Sequence, residues 1–240
     1  MACVIPARYN SSRFPGKMLV KIFGKTVLER TFKAACEYFD QDQLYVATDD
    51  QRIAEHVEGF GGQVIWTAPE CKNGTDRIAE AVAKTPALRQ AEIIVNLQGD
   101  HPCTDRSTIR AAVEAMGPGV LMSTVATPIR TEADFHSPHV VKIVLDREGY
   151  ALYASRAPIP YSKSGVPKIA LQHIGLYCFR PDFLIEFAHL PTTPLQAQED
   201  LEHLRAIEMG RRIKVAIVNE QAIGVDTPED LAKVEAYLCQ

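Results

Sequence analysis

The first 28 residues contain no acidic side chain, although the chain of 240 residues carries a net charge of −4. Five cations fall in this stretch: Arg8, Arg13, Lys17, Lys21 and Lys25. They follow the apolar run 2–5, and a strand that ends in a basic loop with Ser and Gly can bind phosphate through its N–H groups. A hydroxyl from Ser11 or Ser12 would add to such a site. The alternative is a solvated basic surface loop, since such patches are common.

The dipeptide Pro15-Gly16 predicts a type II turn directly before Lys17. The loop does not match a Walker A motif, because Ser11 stands where the first Gly is needed and Met18 where Ser or Thr is needed. It does not match the Gly-x-Gly-x-x-Gly of dinucleotide-binding folds either. The turn and its place after a strand favour a phosphate site of another kind.

Two aspartates are candidate metal ligands. Asp100 follows the strand-like run 93–97, and the carboxyl ends of strands are where open α/β sheets bind ligands. Asp226 precedes a helix whose predicted cap is Thr227, so its own side chain has no capping role. Two carboxylates beside a polyphosphate suit Mg²⁺. Asp100 has the alternative role of a turn residue, with Thr104 as the predicted cap of the next helix.

These residues need a scaffold, and the apolar pattern predicts one. Strand-like runs at 44–48, 63–67, 92–97 and 120–127 alternate with helical segments. This rhythm predicts a doubly wound, mostly parallel α/β sheet of the Rossmann-like kind. The first helix places Leu28, Phe32, Ala35 and Phe39 on one face, and the residues from Thr26 onwards fit a capping box.

The rhythm changes after residue 128. Strand-like runs at 140–145, 150–155 and 174–179 follow without long helices, which predicts an antiparallel arm over about 129–180 that supports dimerisation. Helices are predicted at 181–189 and 195–209, a strand at 214–218 and a last helix from 228. No linker divides the chain, so residues 1–240 are predicted to form a single domain.

The composition argues against several classes of protein. With 46% hydrophobic and 23% charged residues the chain is predicted to be globular. It has no apolar run of the roughly 20 residues that a membrane span needs and no signal peptide pattern, which favours a cytoplasmic protein without membrane insertion. Its six cysteines form no Cys-x-x-Cys pair, which argues against a zinc site. The acidic balance, with a pI near 6.0, argues against nucleic acid and leaves a small anion as the ligand.

Several sequence blocks together carry a family resemblance. They are the N-terminal Ile-Pro-Ala-Arg-Tyr with Ser-Ser-Arg-Phe-Pro-Gly-Lys, Asn-Gly-Thr-Asp-Arg at 73–77, Asn-Leu-Gln-Gly-Asp at 96–100, Ser-Arg at 155–156, His-Ile-Gly-Leu-Tyr at 173–177 and Gly-Val-Asp-Thr-Pro-Glu-Asp at 224–230. The chain resembles the 3-deoxy-manno-octulosonate cytidylyltransferases, or CMP-Kdo synthetases. The resemblance implies Mg²⁺-dependent transfer of CMP from CTP to the sugar acid Kdo, for lipopolysaccharide biosynthesis, by a cytoplasmic homodimer.

The resemblance also implies roles for single residues. Lys17, Arg13 and Asp100 would be catalytic, with the two cations on the β- and γ-phosphates, and Asp100 and Asp226 would hold Mg²⁺. The implied CTP-binding residues are Ala7, Arg8, Ser12, Arg13, Lys17, Thr75 and Arg77. The implied Kdo-binding residues are Gln98, Arg156, His173, Glu199 and Glu202. Lys21 and Lys25 are left as surface charge.

Some of these residues have structural alternatives. Thr75 and Arg77 could be a helix cap and an exposed side chain, and His173 a core histidine. Glu199 and Glu202 could form ordinary surface pairs with Arg205 along one helix face. His101 stands where the family usually has Glu, and His203 where it commonly has Gln. Two rival functions remain: a CMP-sugar synthetase for another acid, such as an N-acylneuraminate or 8-amino-Kdo, and a non-catalytic CTP-binding regulator.

Overall fold

The computed structural model describes residues 1–11, 13–219 and 223–239. Most of its strands belong to one large sheet, and β2 with β3 forms a small hairpin beside the basic loop. The strands are β1 Ala2–Pro6, β2 Lys21–Ile22, β3 Lys25–Thr26, β4 Leu44–Thr48, β5 Gln63–Trp66, β6 Ile94–Leu97, β7 Met122–Pro128, β8 Lys142–Leu145, β9 Ala151–Ser155, β10 Leu171–Phe179 and β11 Ile213–Ile217.

Helices connect these strands, and short 3₁₀ turns cover Lys17–Leu19 and Gln41–Gln43. The α-helices are α1 Val27–Cys36, α2 Gln51–Gly59, α3 Gly74–Lys84, α4 Pro86–Arg89, α5 Arg106–Glu114, α6 Glu132–His136, α7 Pro181–His189, α8 Pro194–Glu199, α9 Leu204–Glu208 and α10 Asp230–Leu238. Among these helices of the described residues, none is long and apolar enough to span a membrane.

The strand order in the large sheet is β11-β7-β10-β6-β1-β4-β5. Strand β1 pairs in parallel with β4 and β6, β4 with β5, and β7 with β11. Helices cover both faces: α1, α2 and α5 pack in one core cluster, and α3 with α7 in the other. The predicted doubly wound α/β fold is therefore confirmed.

Strand β10 differs from the expectation of a separate arm. It lies between β6 and β7 in the middle of the large sheet and runs antiparallel to both. Only β8 and β9 extend from this sheet as an antiparallel pair, joined to it through β10. The end of the 129–180 segment is thus part of the main sheet, and a role of that segment in dimerisation stays a prediction.

The predicted helix over 195–209 is wrong as one unit. It is divided into α8 and α9 by Asp200, whose φ of 52° and ψ of 48° place it in the left-handed region. Residues that the continuous helix would place on one face, such as Glu199 and Glu202, therefore do not share a face.

The first helix starts as predicted, but the caps of three later helices differ. Thr26 caps α1 by accepting a hydrogen bond from the N–H of Glu29. Asn73 caps α3 and Asp105 caps α5, in place of Thr75 and Thr104. Helix α10 begins only at Asp230, whose carboxylate accepts hydrogen bonds from the N–H groups of Asp226 and Thr227. This bonding fixes the loop that carries Asp226.

Candidate active site

A cleft opens where β1 and β6 end, at the carboxyl edge of the sheet. It encloses about 660 Å³ of empty space, part of it open to solvent. Its lining combines the basic loop, the start of α3 and the segments after β6 and before α10: Pro6, Ala7, Arg8, Ser11, Arg13, Lys17, Met18, Asn73, Gly74, Arg77, Gln98, Asp100 and Asp226. The cleft thus collects residues from four distant parts of the chain.

The basic loop delivers Lys17 into this cleft through the predicted turn. Gly16 has φ 73° and ψ 8°, and the N–H of Lys17 donates to the carbonyl of Phe14 over 3.3 Å, as in a type II turn. The N–H of Gly16 also donates to the carbonyl of Tyr9 over 2.8 Å. Lys17 is buried, whereas Lys21 and Lys25 are exposed, as expected of surface charges.

Lys17 brings the two predicted metal ligands together. Its Nζ lies 2.5 Å from Oδ2 of Asp100 and 3.2 Å from Oδ1 of Asp226. The carbonyl oxygen of Val225 accepts a third hydrogen bond over 2.7 Å. Arg13 contacts the same Oδ1 of Asp226 over 2.9 Å from the exposed side. Two carboxylates and two cations therefore form one cluster in the cleft.

The electrostatics of this cluster favour ionised aspartate. Burial alone would raise the pKa of Asp100, but the charges of His101 and Lys17 lower it below its usual value. Nε2 of His101 lies 3.8 Å from Oδ1 of Asp100. At neutral pH Asp100 thus offers an anionic oxygen to a cation.

The donor set fits Mg²⁺. Both carboxylates point an oxygen at one ammonium group, and they lie beside the loop predicted to bind phosphate. Within the described residues there is no group of three or more His, Cys, Asp or Glu side chains that could hold a metal. A site with two carboxylates completed by phosphate oxygens and waters is the usual arrangement for Mg²⁺.

Arg77 is buried, so the alternative of an exposed helix residue is wrong. Its Nη1 donates to the Thr67 hydroxyl over 2.5 Å, and its Nη2 lies 3.1 Å from Oδ1 of Asp49. Arg77 also lines a recess next to the main cleft, together with Arg8, Tyr9, Asn10, Asp49, Asp50, Pro69 and Cys71. The sequence analysis missed Asp49 and Asp50, although both directly follow β4 and so satisfy the strand-end argument that found Asp100.

Thr75 lies behind the cleft. It is 1% exposed, and its Oγ1 accepts a hydrogen bond from Nδ2 of Asn96 over 3.2 Å. Gln98 does line the cleft, and its Nε2 donates to Oδ1 of the same Asn96 over 2.9 Å. Ser12, the remaining predicted CTP-binding residue, lies outside the described residues.

Arg156 and Glu199 have structural partners that differ from the predicted ones. Nε of Arg156 donates to the carbonyl of Glu199 over 2.8 Å, and its Nη1 to the carbonyl of Pro138 over 3.0 Å. The Glu199 carboxylate accepts from the hydroxyls of Ser155 and Tyr153 and from the N–H of Arg156. These bonds fasten α8 to β9, and neither side chain is among the described residues that line the cleft. A role of Arg156 and Glu199 in binding Kdo stays a prediction.

His173 packs against the imidazole of His203. The two ring centres are 4.5 Å apart, and the ring planes are inclined by 38°. Thr124 donates its hydroxyl proton to the carbonyl of Leu176 over 2.8 Å, so its oxygen accepts from Nε2 of His173 over 2.9 Å. Burial lowers the pKa of His173 well below its ordinary value, and a neighbouring His203 lowers it further. His173 is therefore neutral at physiological pH.

His203 has one fixed and one free ring nitrogen. Burial raises the pKa of Tyr177, so its phenol keeps a proton and donates it to Nδ1 of His203 over 3.0 Å. Nε2 of His203 is buried and has no hydrogen-bond partner within the described chain. Burial lowers the pKa of His203 to about 4. The side chain is thus a neutral imidazole with an unused N–H.

The buried histidines predict a loss of stability in mild acid. The pKa of His203 is about 4 in the fold against 6.5 ordinarily, so between these values only the unfolded chain binds this proton and stability falls as pH falls. We expect a loss of about 3 kcal/mol from His203 alone between pH 7 and pH 4. Urea unfolding at several pH values measures it, and His203→Gln should flatten the slope. An unchanged slope in this variant would contradict the assignment.

Comparison with known proteins places the chain in a family. A family model described as cytidylyltransferase matches residues 2–213. The 3-deoxy-manno-octulosonate cytidylyltransferase of Protochlamydia amoebophila is 49% identical, covering 99% of this chain and 93% of the relative. The relative of that name from Syntrophotalea carbinolica is 46% identical, with 99% and 98% covered. The chain belongs to the 3-deoxy-manno-octulosonate cytidylyltransferase family.

Solved structures agree with this membership in the 3-deoxy-manno-octulosonate cytidylyltransferase family. A CMP:2-keto-3-deoxy-manno-octonic acid synthetase complexed with CTP superposes with a TM-score of 0.92 at 36% identity, covering 100% of this chain and 98% of the other. A cytidylyltransferase from Leptospira borgpetersenii has a TM-score of 0.64 at 15% identity, covering 99% of this chain and 86% of that one, and shares the fold.

His101 and His203 both lie near strand β10. His203 packs against His173, with the ring planes inclined by 38°. A Cβ added at Gly175 would lie 3.5 Å from the ring of His101, and one added at Gly224 would lie 3.1 Å from it. His101 therefore lies between β10 and the loop that carries Asp226.

Proposed function

We propose that this chain transfers CMP from CTP to the anomeric hydroxyl of Kdo, giving CMP-Kdo and pyrophosphate. The observation that carries the proposal is the cluster in which Lys17 joins Asp100 and Asp226 beside the basic loop. It supplies cations for a polyphosphate and carboxylates for a metal in a single cleft. The sugar acid is inferred from relatives that are called 3-deoxy-manno-octulosonate cytidylyltransferases and match nearly the whole chain.

The reaction forms a bond between the anomeric oxygen and the α-phosphorus and breaks the bond from the α-phosphorus to the bridging oxygen. Negative charge then grows on the leaving pyrophosphate. Arg13 and Lys17 would stabilise this charge, because both are already fixed in the cleft before the reaction begins. Mg²⁺ held by Asp100 and Asp226 would supply further charge neutralisation on the phosphate oxygens when bound.

The nucleoside and the sugar acid would lie on opposite sides of this cluster. Ala7, Arg8 and Arg77 line the side that continues into the recess with Asp49. Gln98 lines the cleft as well and is hydrogen-bonded to Asn96. We propose that the cytidine lies next to Arg8 and Arg77 and that Kdo lies next to Gln98.

A substrate panel tests the proposal. The protein with CTP and Mg²⁺ is offered Kdo, 8-amino-Kdo or N-acetylneuraminate, and pyrophosphate release is measured. We expect release with Kdo at the highest kcat/KM. Preference for another acid would support a related CMP-sugar synthetase, and CTP binding without release for any acid would support a non-catalytic regulator. Omission of Mg²⁺ should stop release, and activity retained in EDTA would contradict the metal assignment.

We further propose a cytoplasmic homodimer, formed through the predicted arm at 129–180. Three large apolar side chains in this segment are exposed: Leu152 at 58%, Tyr161 at 84% and Ile169 at 71%. An interaction surface is marked by a contiguous patch of such side chains, and these three would contribute to one if a partner copy covers the arm. The molecular mass of the active preparation by light scattering decides between a dimer and a monomer.

A further inference from the structure

The amide of Gln98 is held by a row of two hydrogen bonds that starts in the cleft and ends at α3. Nε2 of Gln98 donates to Oδ1 of Asn96, and Nδ2 of Asn96 donates to Oγ1 of Thr75. Asn96 and Thr75 are 0% and 1% exposed, so bulk water does not compete for these atoms. The row therefore joins β6 to α3 beneath the cleft.

The amide of Asn96 sets the direction of the row, because its nitrogen only donates and its oxygen only accepts hydrogen bonds. Its nitrogen donates to the Thr75 oxygen, so its carbonyl oxygen faces Gln98. Gln98 therefore presents its amide nitrogen to Asn96. Gln98 Oε1 is then the atom that the amide offers to the cleft.

We propose that Asn96 is a positioning residue that orients Gln98, so that its Oε1 accepts a hydrogen bond from a substrate hydroxyl. The opposite orientation would offer an NH₂ group, which suits a carboxylate instead. The hydroxyl belongs either to the ribose of the nucleotide or to the sugar acid. The identity of these substrates rests on the proposed function, whereas the direction of the row does not.

The close approach of Gly74 supports a fixed place for this amide. A Cβ added at Gly74 would lie 3.1 Å from Oε1 of Gln98 and 3.1 Å from Cγ of Pro6. A larger residue at position 74 would therefore displace either the Gln98 side chain or the end of β1. The glycine leaves the Gln98 amide in the position that Asn96 requires.

A double-mutant cycle tests whether Asn96 acts through Gln98. We expect Asn96→Leu to lower kcat/KM by about tenfold, which is the effect of losing one hydrogen bond to the substrate. In the Gln98→Met background the same change should cost less than about twofold, because the amide that it orients is already absent. Additive losses in proteins with unchanged far-UV spectra would overturn the proposal. If Asn96→Leu does not fold, Thr75→Val replaces it, with Thr75→Ser as the control that keeps the hydroxyl.

Two further arms locate the hydroxyl and separate this proposal from the proposed function. If the ribose supplies it, the Asn96→Leu penalty disappears with 2′-deoxy-CTP or 3′-deoxy-CTP. If the sugar acid supplies it, the penalty persists with both nucleotides and appears in KM for Kdo.

Solvent exchange of the Gln98 side-chain amide is a measurement that needs no turnover. The amide signal is assigned by its absence in Gln98→Met. It should be slow in the unmodified protein and fast in Asn96→Leu. Slow exchange without CMP-Kdo synthesis would contradict only the proposed function, and fast exchange in the unmodified protein would contradict the row.

Discussion

Asp100→Asn is expected to reduce CMP-Kdo formation on the order of 10³-fold, because it removes an anionic oxygen from the predicted metal site. Asparagine keeps the shape of the side chain and can still accept a hydrogen bond from Nζ of Lys17. It no longer balances the charge of a divalent cation. The measurement is pyrophosphate release over a range of Mg²⁺ concentrations at saturating CTP and Kdo.

The structure also predicts an effect of Asp100→Asn on folding. The side chain of Asp100 is only 21% exposed and is paired with the buried Lys17. Lys17 keeps two other partners in the variant, the carbonyl of Val225 and Oδ1 of Asp226. We therefore expect a loss of about 1 to 2 kcal/mol in the free energy of unfolding rather than none.

Asp182→Asn is a matched control for Asp100→Asn, since Asp182 is 86% exposed on α7 and pairs only across the surface with Arg89. It should leave both activity and stability unchanged. Near-full activity of Asp100→Asn at saturating Mg²⁺ would show that the metal assignment is wrong. A loss of activity that matches the loss of folded protein would assign Asp100 a purely structural role.

The residues predicted to bind phosphate and metal could be found from the sequence because they lie in loops that follow strand ends. Lys17 comes after β1 through a turn that Pro15-Gly16 specifies by itself, and Asp100 comes after β6. Parallel strands bring their carboxyl ends to one edge, so locating each strand was sufficient to bring these residues together. Arg77 and Asp49 meet at the same edge. Their ion pair was missed because the burial of an arginine depends on the neighbours it meets in the fold.

The surroundings of the residues predicted to bind the acceptor sugar could not be found from the sequence, because their contacts are fixed by tertiary structure. Arg156 is held by carbonyl groups near Glu199 and by the carbonyl of Pro138, and no local pattern records which carbonyls will lie within reach. The break at Asp200 is a left-handed residue inside a stretch whose apolar spacing is typical of a helix. Sequence periodicity therefore predicted a shared helix face for Glu199 and Glu202 that the fold does not contain.

The position of β10 shows the same limit at the level of the sheet. Its alternating pattern correctly indicated a strand, and the preceding strands β8 and β9 suggested that it would pair with them. In the fold β10 pairs mainly with β6 and β7, whose order relative to β10 depends on long-range packing. The alternation of side chains along a strand shows which residues form that strand, but it does not show which other strand will pair with it.

Lys17→Met is expected to lower the rate on the order of 10²-fold or more, because the ammonium meets charge that develops on the leaving pyrophosphate. The structure adds a second expectation. Lys17 is the buried cation between Asp100 and Asp226, so its removal leaves two neighbouring carboxylates that repel each other. The variant should therefore be less stable in EDTA, and Mg²⁺ should restore its thermal midpoint by neutralising both carboxylates.

Separate recovery of stability and rate distinguishes the two roles of Lys17. We expect Mg²⁺ to return the thermal midpoint of Lys17→Met towards that of the unmodified protein while the rate stays low. An ion bound between the two carboxylates neutralises them, but it does not replace the ammonium group that stabilises the leaving pyrophosphate. Lys21→Met, which removes an exposed cation from the same acid-free segment, should change neither quantity. Weaker CTP binding with an unaltered rate would instead make Lys17 a ground-state binding residue. Recovery of the rate together with the midpoint would mean that Lys17 serves only to hold the two carboxylates together.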